Sequence, residues 1–347
     1  MDVQRLRGEI TWLTAKLDRK RKRDSLDALE LRKDVGERLL ELRDPATEAW
    51  LRDLVADEGR VFGPRSLITL ASWYGIASRC EEAGRVDEAL ALFSWLEGTY
   101  AYVLGQEHEV VGDCRFAVAA TLHRAGRFAA AIDAYRAVLD RNPRSLVWIA
   151  GAQAAQGRFD EAEQTLREAG PALHDDVQAI RHEIQALLGA PGPWIAALRE
   201  QPEDPGDPVK VRAELAYALF LNGEFAEAAS LAESALQERL VFPGPEDRLT
   251  WESRLLLSRV LAETDRLADA DHYARAILAA GPFPPGHPAL LWAQSVVARV
   301  HFRREEWAEA VVAYEYTVEG FELVLGSGHP KTLKMADALA AAREAVG

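Results

Sequence analysis

The chain repeats one pattern of turn-forming, apolar and small residues seven times. Each copy has a turn residue, then an aromatic or aliphatic residue, then an alanine, as in Gly126, Phe128 and Ala131. Apolar residues recur around the turn at the helical spacing of three and four, and no segment alternates apolar and polar residues as a strand does. The pattern predicts a series of helical hairpins and an all-α fold.

The seven copies align best on their alanines, where two helices can approach closely. Successive alanines are 42, 31, 35, 31, 42 and 40 residues apart. The aligned alanines are Ala89, Ala131, Ala162, Ala197, Ala228, Ala270 and Ala310. The turn residues before them are Gly84, Gly126, Gly157, Gly192, Gly223, Asp265 and Glu305.

The second copy shows the pattern most completely. Its first helix has an inward apolar stripe that ends at Gly126, its second helix carries Phe128, Ala131 and Tyr135, and Pro143 stops the helix. This arrangement resembles the tetratricopeptide repeat. The resemblance implies a right-handed superhelical solenoid of about seven hairpins with N-terminal helices and a C-terminal capping helix. It also implies a concave surface lined by the first helix of each hairpin.

A second phrase recurs between the widely spaced copies. It reads Val61-Phe62-Gly63-Pro64, Val103-Leu104-Gly105-Gln106 and Val324-Leu325-Gly326-Ser327, and the last is followed by Gly328-His329-Pro330. Gly286-His287-Pro288 is a fragment of it, and we expect His287 and His329 to shape the start of the next helix. These segments resemble the linkers of kinesin-light-chain-type repeats, which also occur in bacterial signalling proteins. Together the resemblances cover roughly residues 46–345.

Three copies depart from the pattern. The sixth has Asp265 in place of the turn glycine, and aspartate tolerates left-handed geometry moderately well. The fourth has Pro191 and Pro193 near its turn and Gln201 in place of a large apolar residue, so we expect its second helix to be short or bent. The last turn has Glu305 in place of glycine, and glutamate disfavours left-handed backbone geometry. We therefore expect the last turn to have a different shape.

Residues 1–45 do not match the repeat and are predicted to be a separate N-terminal helical region before a solenoid at 46–347. Val3, Leu6, Ile10, Leu13 and Leu17 recur at steps of three and four, as in a coiled-coil seam or a packed helix. Either one long helix or a hairpin broken near Ser25 fits. The region could cap the solenoid, form a homodimer, or occupy the groove.

Composition and charge restrict the function. The net charge is −14, which makes a nucleic-acid partner unlikely because phosphates would be repelled. The basic run at 19–23 is offset by nearby aspartates. No apolar stretch is long enough to span a membrane, and Cys80 and Cys114 are expected to be small buried hydrophobes. These features predict a cytoplasmic protein with no membrane partner.

No sequence motif indicates catalysis. Phosphate-binding loops, dinucleotide-binding glycine patterns, zinc-protease histidine pairs and hydrolase nucleophile motifs do not occur in the sequence. The histidines beside carboxylates have no second ligand at one-turn spacing. The sequence therefore predicts a protein that is not an enzyme and needs no metal or cofactor.

The binding groove is predicted from the helical stripe opposite the hairpin contact. Small residues occupy the middle of this stripe, and aromatic rings with arginines occupy its C-terminal part, which suits a peptide with apolar anchors and acidic groups. The family's dicarboxylate clamp is not reproduced. Alternatively, the rings pack against neighbouring repeats and the arginines pair with Glu252, Glu263 and Glu305. The candidate residues are Tyr74, Phe116, His123, Arg124, Gly151, Tyr217, Phe220, Arg259, Arg299, Phe302 and Arg303.

The predicted function is a protein- or peptide-binding scaffold. Two alternatives stay open at this point. One is a regulatory subunit that changes shape when a peptide binds. The other is an accessory protein that presents a peptide substrate to a separate enzyme.

Overall fold

The fold is all-α, as predicted. The structure is a computed structural model that describes residues 3–20, 22, 24–44, 46–200 and 207–346. These ranges contain 18 α-helices and a short 3-10 helix at Pro171–Leu173, and none of their residues is in a strand. Arg21 and Arg23 of the basic run, and Gln201 of the fourth copy, lie outside the described residues.

Three helices precede the repeats, and one follows them. The first three are α1 (Val3–Leu17), α2 (Leu26–Glu41) and α3 (Thr47–Val61), and the last is α18 (Pro330–Val346). Between them are seven successive helix pairs, which confirms the predicted number of hairpins. They are α4 (Leu67–Glu82) and α5 (Val86–Leu104), α6 (Glu109–Arg124) and α7 (Phe128–Arg136), α8 (Ser145–Ala155) and α9 (Phe159–Glu168), α10 (His174–Leu187) and α11 (Gly192–Arg199), α12 (Pro208–Asn222) and α13 (Phe225–Val241), α14 (Arg248–Leu261) and α15 (Leu267–Ala280), and α16 (Pro288–Arg303) and α17 (Trp307–Leu325).

The helices group into two compact units. The first unit comprises residues 1–121 and 242–247, and the second comprises residues 122–241 and 248–347. The boundary crosses α6 one turn before its end, so it differs from the limits of the repeats. The predicted boundary after residue 45 stays a prediction.

The aligned alanines explain how the hairpins pack. Six of the seven are fully buried, with 0% exposure at Ala89, Ala131, Ala162, Ala228, Ala270 and Ala310. A methyl group at these positions keeps the helix axes close, and large rings such as Phe93 and Tyr314 fill the space beside them. The repeat frame taken from the sequence is therefore correct for six hairpins.

The fourth hairpin is the exception. Ala197 is only half-buried, and Gly192 is the first residue of α11 rather than the turn residue. The left-handed turn residue is Gly189, with φ of 92°. Helix α11 has eight residues, which confirms the expected short second helix. Pro193 explains part of this shift, because proline is favoured in the first turn of a helix.

The last turn keeps the shape of the others, so the expected difference is wrong. Glu305 has φ of 63°, close to the 73° of Gly84 and Gly126 and the 74° of Gly157. Glutamate is strained there, and the packing of α16 on α17 must hold the turn in place. The connection at Asp265 is longer instead, because it extends from Leu261 to Leu267.

In the first unit, α1 and α2 form a hairpin, which is the second of the two predicted arrangements. Leu13, Leu31 and Val35 form its core. The guanidinium of Arg32 is buried and pairs with Asp57 at 2.5 Å and with Asp53 at 2.9 Å, both on α3. These contacts hold the N-terminal helices to the helix before the first repeat.

Both cysteines lie in the first unit and behave as buried apolar residues, as expected. Cys80 and Cys114 are free, and neither has measurable exposure. Burial raises the pKa of the Cys80 thiol to about 11 and that of Cys114 to about 12. The two thiols therefore stay protonated and unreactive at neutral pH.

The second unit closes on itself through two loops. The Nδ1 atoms of His287 and His329 accept hydrogen bonds from the amides of Ala289 and Lys331, both at 3.0 Å, and so cap α16 and α18. This confirms that both histidines shape the start of a helix. The other ring nitrogen of His287, Nε2, donates to the carbonyl oxygen of Arg124 at 2.8 Å, across 163 residues of sequence.

Two glycines permit this closure. A Cβ atom on Gly126 would lie 2.5 Å from Cδ of Pro288, and one on Gly157 would lie 2.7 Å from Cδ2 of His329. Only glycine leaves room for such approaches. We call these two approaches, together with the bond from His287 to Arg124, the closing contacts.

A helix that crosses a membrane must be long and predominantly apolar. Among the described residues, no helix combines these two properties.

Candidate functional site

A cavity of about 520 Å³ lies inside the second unit. Its wall is built mainly from α10, α12, α14, α16 and α18, which are the first helices of successive hairpins and the helix that follows them. These helices contribute the stripe that the sequence predicted for the concave surface. The side chains that matter chemically are Tyr217, Phe220, Arg259, Trp292, Arg299 and Lys331.

Arg259 is surrounded by aromatic rings. Its guanidinium carbon lies 4.2 Å from the ring centre of Trp292, 4.9 Å from that of Phe220 and 5.4 Å from that of Tyr217. The π faces attract the cation and hold it in one orientation. Burial lowers the pKa of Arg259, because the charged form loses hydration, and Tyr217 and the negative charge of Glu263 oppose this only in part.

Arg299 differs from Arg259 in having a carboxylate partner. It donates to Glu263 at 2.8 Å, so this pair agrees with the alternative interpretation of the arginines. Within the described part of the chain, no carboxylate lies within ion-pair distance of Arg259. The single carboxylate in the cavity wall is therefore already engaged.

Helix α18 supplies two more cations that the sequence analysis missed. Lys331 lies with its Nζ 5.4 Å from the ring centre of Trp292, and the exposed Lys334 lies one turn further along the helix. Glu183 on α10 is also near Lys331; burial raises its pKa, and the lysine lowers it by a smaller amount. The cavity wall thus has four cationic side chains and one carboxylate.

Part of this missed set could have been found in the sequence. Trp292 lies seven residues, about two helical turns, before Arg299 and so belongs to the same helical stripe. The phrase Gly328-His329-Pro330 repeats Gly286-His287-Pro288, which indicates that α18 starts as another first helix. Helix α18 borders the cavity because the second unit closes on itself. No local sequence pattern indicates this closure.

The structure brings four of the predicted residues together. Tyr217, Phe220, Arg259 and Arg299 all line the cavity. Phe302 packs on Trp307 with ring centres 5.1 Å apart, and Arg303 pairs with Asp265 at 3.3 Å. These last two side chains lie outside the cavity wall.

Three predicted residues lie near the closing contacts. The ring of His123 makes edge contacts with Phe128 at 5.5 Å and Trp148 at 5.9 Å, and burial lowers its pKa to about 4. A Cβ atom on Gly151 would lie 3.8 Å from this ring. The side chain of Arg124 is exposed, while its carbonyl takes part in the closing contacts. This group is an aromatic cluster around a neutral histidine.

Two predicted residues belong to the first unit. Tyr74 packs edge-on against Phe93 with ring centres 5.2 Å apart, and Phe116 is half-buried on α6. Tyr74 therefore contributes to the core of that unit.

One cluster in the first unit has the residue types of a metal site. Glu48, Cys80 and Glu88 have ligand atoms within 4.8 Å of one another. Burial acts to raise the pKa of Glu48, but hydrogen bonds from Arg52 and Arg85 lower it overall. Because arginines hold both glutamates and the thiol stays protonated, the cluster is an ion-pair network beside a buried cysteine.

Several solved structures have a similar arrangement of helices. A tetratricopeptide repeat protein from Parabacteroides merdae is 11% identical with a TM-score of 0.36, and the match covers 90% of this chain and 98% of that one. A putative kinesin light chain from Podosopora anserina with nearly identical tetratricopeptide-like repeats is 19% identical with a TM-score of 0.28, covering 73% and 95%. The tetratricopeptide repeat domain of P58(IPK) is 15% identical with a TM-score of 0.32, covering 100% and 98%. No curated protein sequence matches this chain.

Two segments match models of the tetratricopeptide repeat family. The first is residues 122–188, which contain the second helix of the second hairpin, the whole third hairpin and the first helix of the fourth, and the other is residues 290–331, which contain most of the seventh. Repeats of this family indicate a protein-interaction scaffold, and their fold typically has no enzymatic role. These two matches confirm the resemblance to tetratricopeptide repeats that the turn, aromatic and alanine pattern indicated.

Proposed function

We propose that the protein binds a segment of a partner protein along the first helices of its second unit and catalyses no reaction itself. The observation that carries this proposal is the cavity wall, in which five aromatic rings and four cations line a common space. Rings and arginines are the side chains that contribute most to protein recognition. The segment would present apolar anchors to the rings and acidic groups to the cations.

Charge supports an acidic partner. The whole chain carries a net charge of −14, yet the cavity wall has four cations against one carboxylate. A local positive region in a negative protein directs an acidic segment to one place and repels it elsewhere. The same mean field disfavours a nucleic acid.

The N-terminal helices have a structural part in this proposal. The packing of α1 and α2 on each other, and the pairing of Arg32 with α3, support a cap for the first repeats rather than a dimer contact. We therefore propose residues 1–45 as a capping region and residues 46–347 as the repeat region. Two free, buried cysteines support a cytoplasmic location.

The proposal is tested with a displayed library of random linear peptides selected on the full chain. Hydrogen exchange then locates the selected peptides. We expect slower exchange in α12, α14 and α16, and at least tenfold weaker binding by Phe220→Ala. The matched control is Tyr316→Ala, since this tyrosine is 62% exposed on the outer helix α17. Slower exchange confined to α13, α15 and α17, or a library without any enriched peptide, would overturn the proposal.

A further inference from the structure

The cation that Arg259 places in the cavity is compensated only in part, by Tyr217 and by the charge of Glu263. Its three aromatic neighbours fix its position, and Glu263 is taken by Arg299. A buried charge without a carboxylate partner is costly, and groups perturbed in this way cluster at functional sites. A ring cage of this kind also holds the guanidinium ready for an incoming anion.

Lys331 doubles the positive charge at the same ring. It lies 5.4 Å from the centre of Trp292, and Arg259 lies 4.2 Å from it. Within the described ranges, Lys331 has no carboxylate at ion-pair distance, although Glu183 is near enough to be affected by its charge. Two cations therefore lie near the ring of Trp292, and one anionic group could contact both of them.

The size of the cavity restricts its occupant. Its volume of about 520 Å³ falls in the range of small-molecule sites, roughly 300–1,000 Å³. Met335, Val296 and Ala262 provide apolar wall beside the cations. A cavity with an apolar wall and few polar groups suits a small apolar molecule with one charged group.

We propose that this cavity binds a small organic anion, with a carboxylate or phosphate group on Arg259 and Lys331 and an apolar body against Phe220, Trp292 and Met335. The site lies on the surface proposed above for a partner segment. A bound anion would therefore compete with the acidic groups of that segment and make partner binding depend on a small molecule. The proposal depends on the proposed function only for this competition.

The test uses four probes on the full chain, with ligand-observed NMR and calorimetry. Benzoate and phenyl phosphate carry the two candidate anions on an apolar ring, benzamide lacks the charge, and inorganic phosphate lacks the ring. We expect saturable binding of benzoate or phenyl phosphate, and at least tenfold weaker binding of benzamide and inorganic phosphate. The tighter of the first two shows whether the natural ligand is a carboxylate or a phosphate.

Variants connect the binding to the cavity. Arg259→Gln and Lys331→Gln should each weaken the better aromatic anion at least tenfold. Arg343→Gln is the control, because it removes a charge from the exposed part of α18, where Arg343 pairs with Glu315. Circular dichroism checks that each variant folds, and two variants keep the test valid if one does not.

The inference would be overturned by the absence of saturable binding of either aromatic anion, by equal binding of benzamide, or by unchanged affinity in every cavity variant that folds. Equal binding of inorganic phosphate would also overturn it, because the apolar body would then have no part. The proposed function has its own test. If peptides selected from the library still slow hydrogen exchange in α12, α14 and α16, the proposed function stands even when the small-anion inference fails.

Discussion

At the scale of single residues, one methyl group sets the distance between the two helices of a hairpin. Ala228 on α13 is fully buried and packs with Ala218 and Leu219 of α12. The surrounding side chains fill the available volume, so a larger group at this position has no space. This is why the alanine pattern located six of the seven hairpins from the sequence.

We predict that Ala228→Trp lowers the free energy of unfolding by about 1–3 kcal/mol or more, because overpacking a close helix contact forces the helices apart. Ala226→Trp on the same helix is the control, since Ala226 is exposed. Urea unfolding followed by circular dichroism measures both variants. Equal stability of the two would mean that α12 and α13 are not in close contact at Ala228.

At the scale of helices and turns, the sequence predicted most elements and failed in two places for physical reasons. Periodicity and turn glycines gave the hairpins, because helix spacing and left-handed turns are local properties. The fourth turn was misplaced because Gly189 and Gly192 both occur there, and local preferences do not decide between them. The turn at Glu305 was misjudged because packing of α16 on α17 overrides the preference of one residue.

The strained turn gives a second prediction. Glu305→Gly should raise the free energy of unfolding by about 1 kcal/mol, because glycine adopts φ of 63° without the penalty of a side chain. The neighbouring Arg304 has φ of −91°, so Arg304→Gly should be neutral or destabilising. Differential scanning calorimetry of the two variants checks this. A lower unfolding temperature for Glu305→Gly would contradict the assigned strain.

At the scale of the whole second unit, the closing contacts connect parts of the chain that are far apart in sequence. They also explain why the cavity could be predicted only in part. Tyr217, Phe220, Arg259 and Arg299 follow from the helical stripe of each repeat. Lys331 depends on where α18 lies after closure, which arises from the accumulated geometry of several hairpins.

The contact at Gly157 can be measured with a double-mutant cycle. Gly157→Ala should be strongly destabilising, because its φ of 74° is strained for alanine and the new Cβ meets His329. His329→Ala should recover the part due to this clash, so the two changes should be non-additive by about 0.5–3 kcal/mol. Gly223→Ala is the control for strain alone, with φ of 83° and no atom within 4 Å of the added Cβ. Additive effects would show that the loops do not touch.

The same histidine predicts a dependence on pH. Burial lowers the pKa of His329 from its usual value of 6.5 to about 4. The unfolded chain therefore binds a proton first, and the free energy of unfolding falls as the pH drops from about 6.5 to about 4. Lys331 adds to the shift, and His123 and His287 act in the same direction.

His329→Asn tests this dependence, since asparagine keeps an acceptor for the amide of Lys331 but does not titrate. Urea unfolding at about pH 7 and about pH 5 should show a smaller loss of stability in the variant than in the wild type. The other two histidines still titrate, so the dependence should become shallower without disappearing. An identical loss in both proteins would mean that His329 is solvated in the folded state.

The bond between His287 and Arg124 also bears on how this array can be shortened or rebuilt. Open repeat arrays tolerate removal of terminal units, because each unit depends only on its neighbours. Here the loop before α16 is anchored 163 residues upstream. Deleting the C-terminal hairpin should therefore loosen the turns after α6 and α8 as well. Adding or removing one internal repeat would displace the loops before α16 and α18 from the turns that they contact.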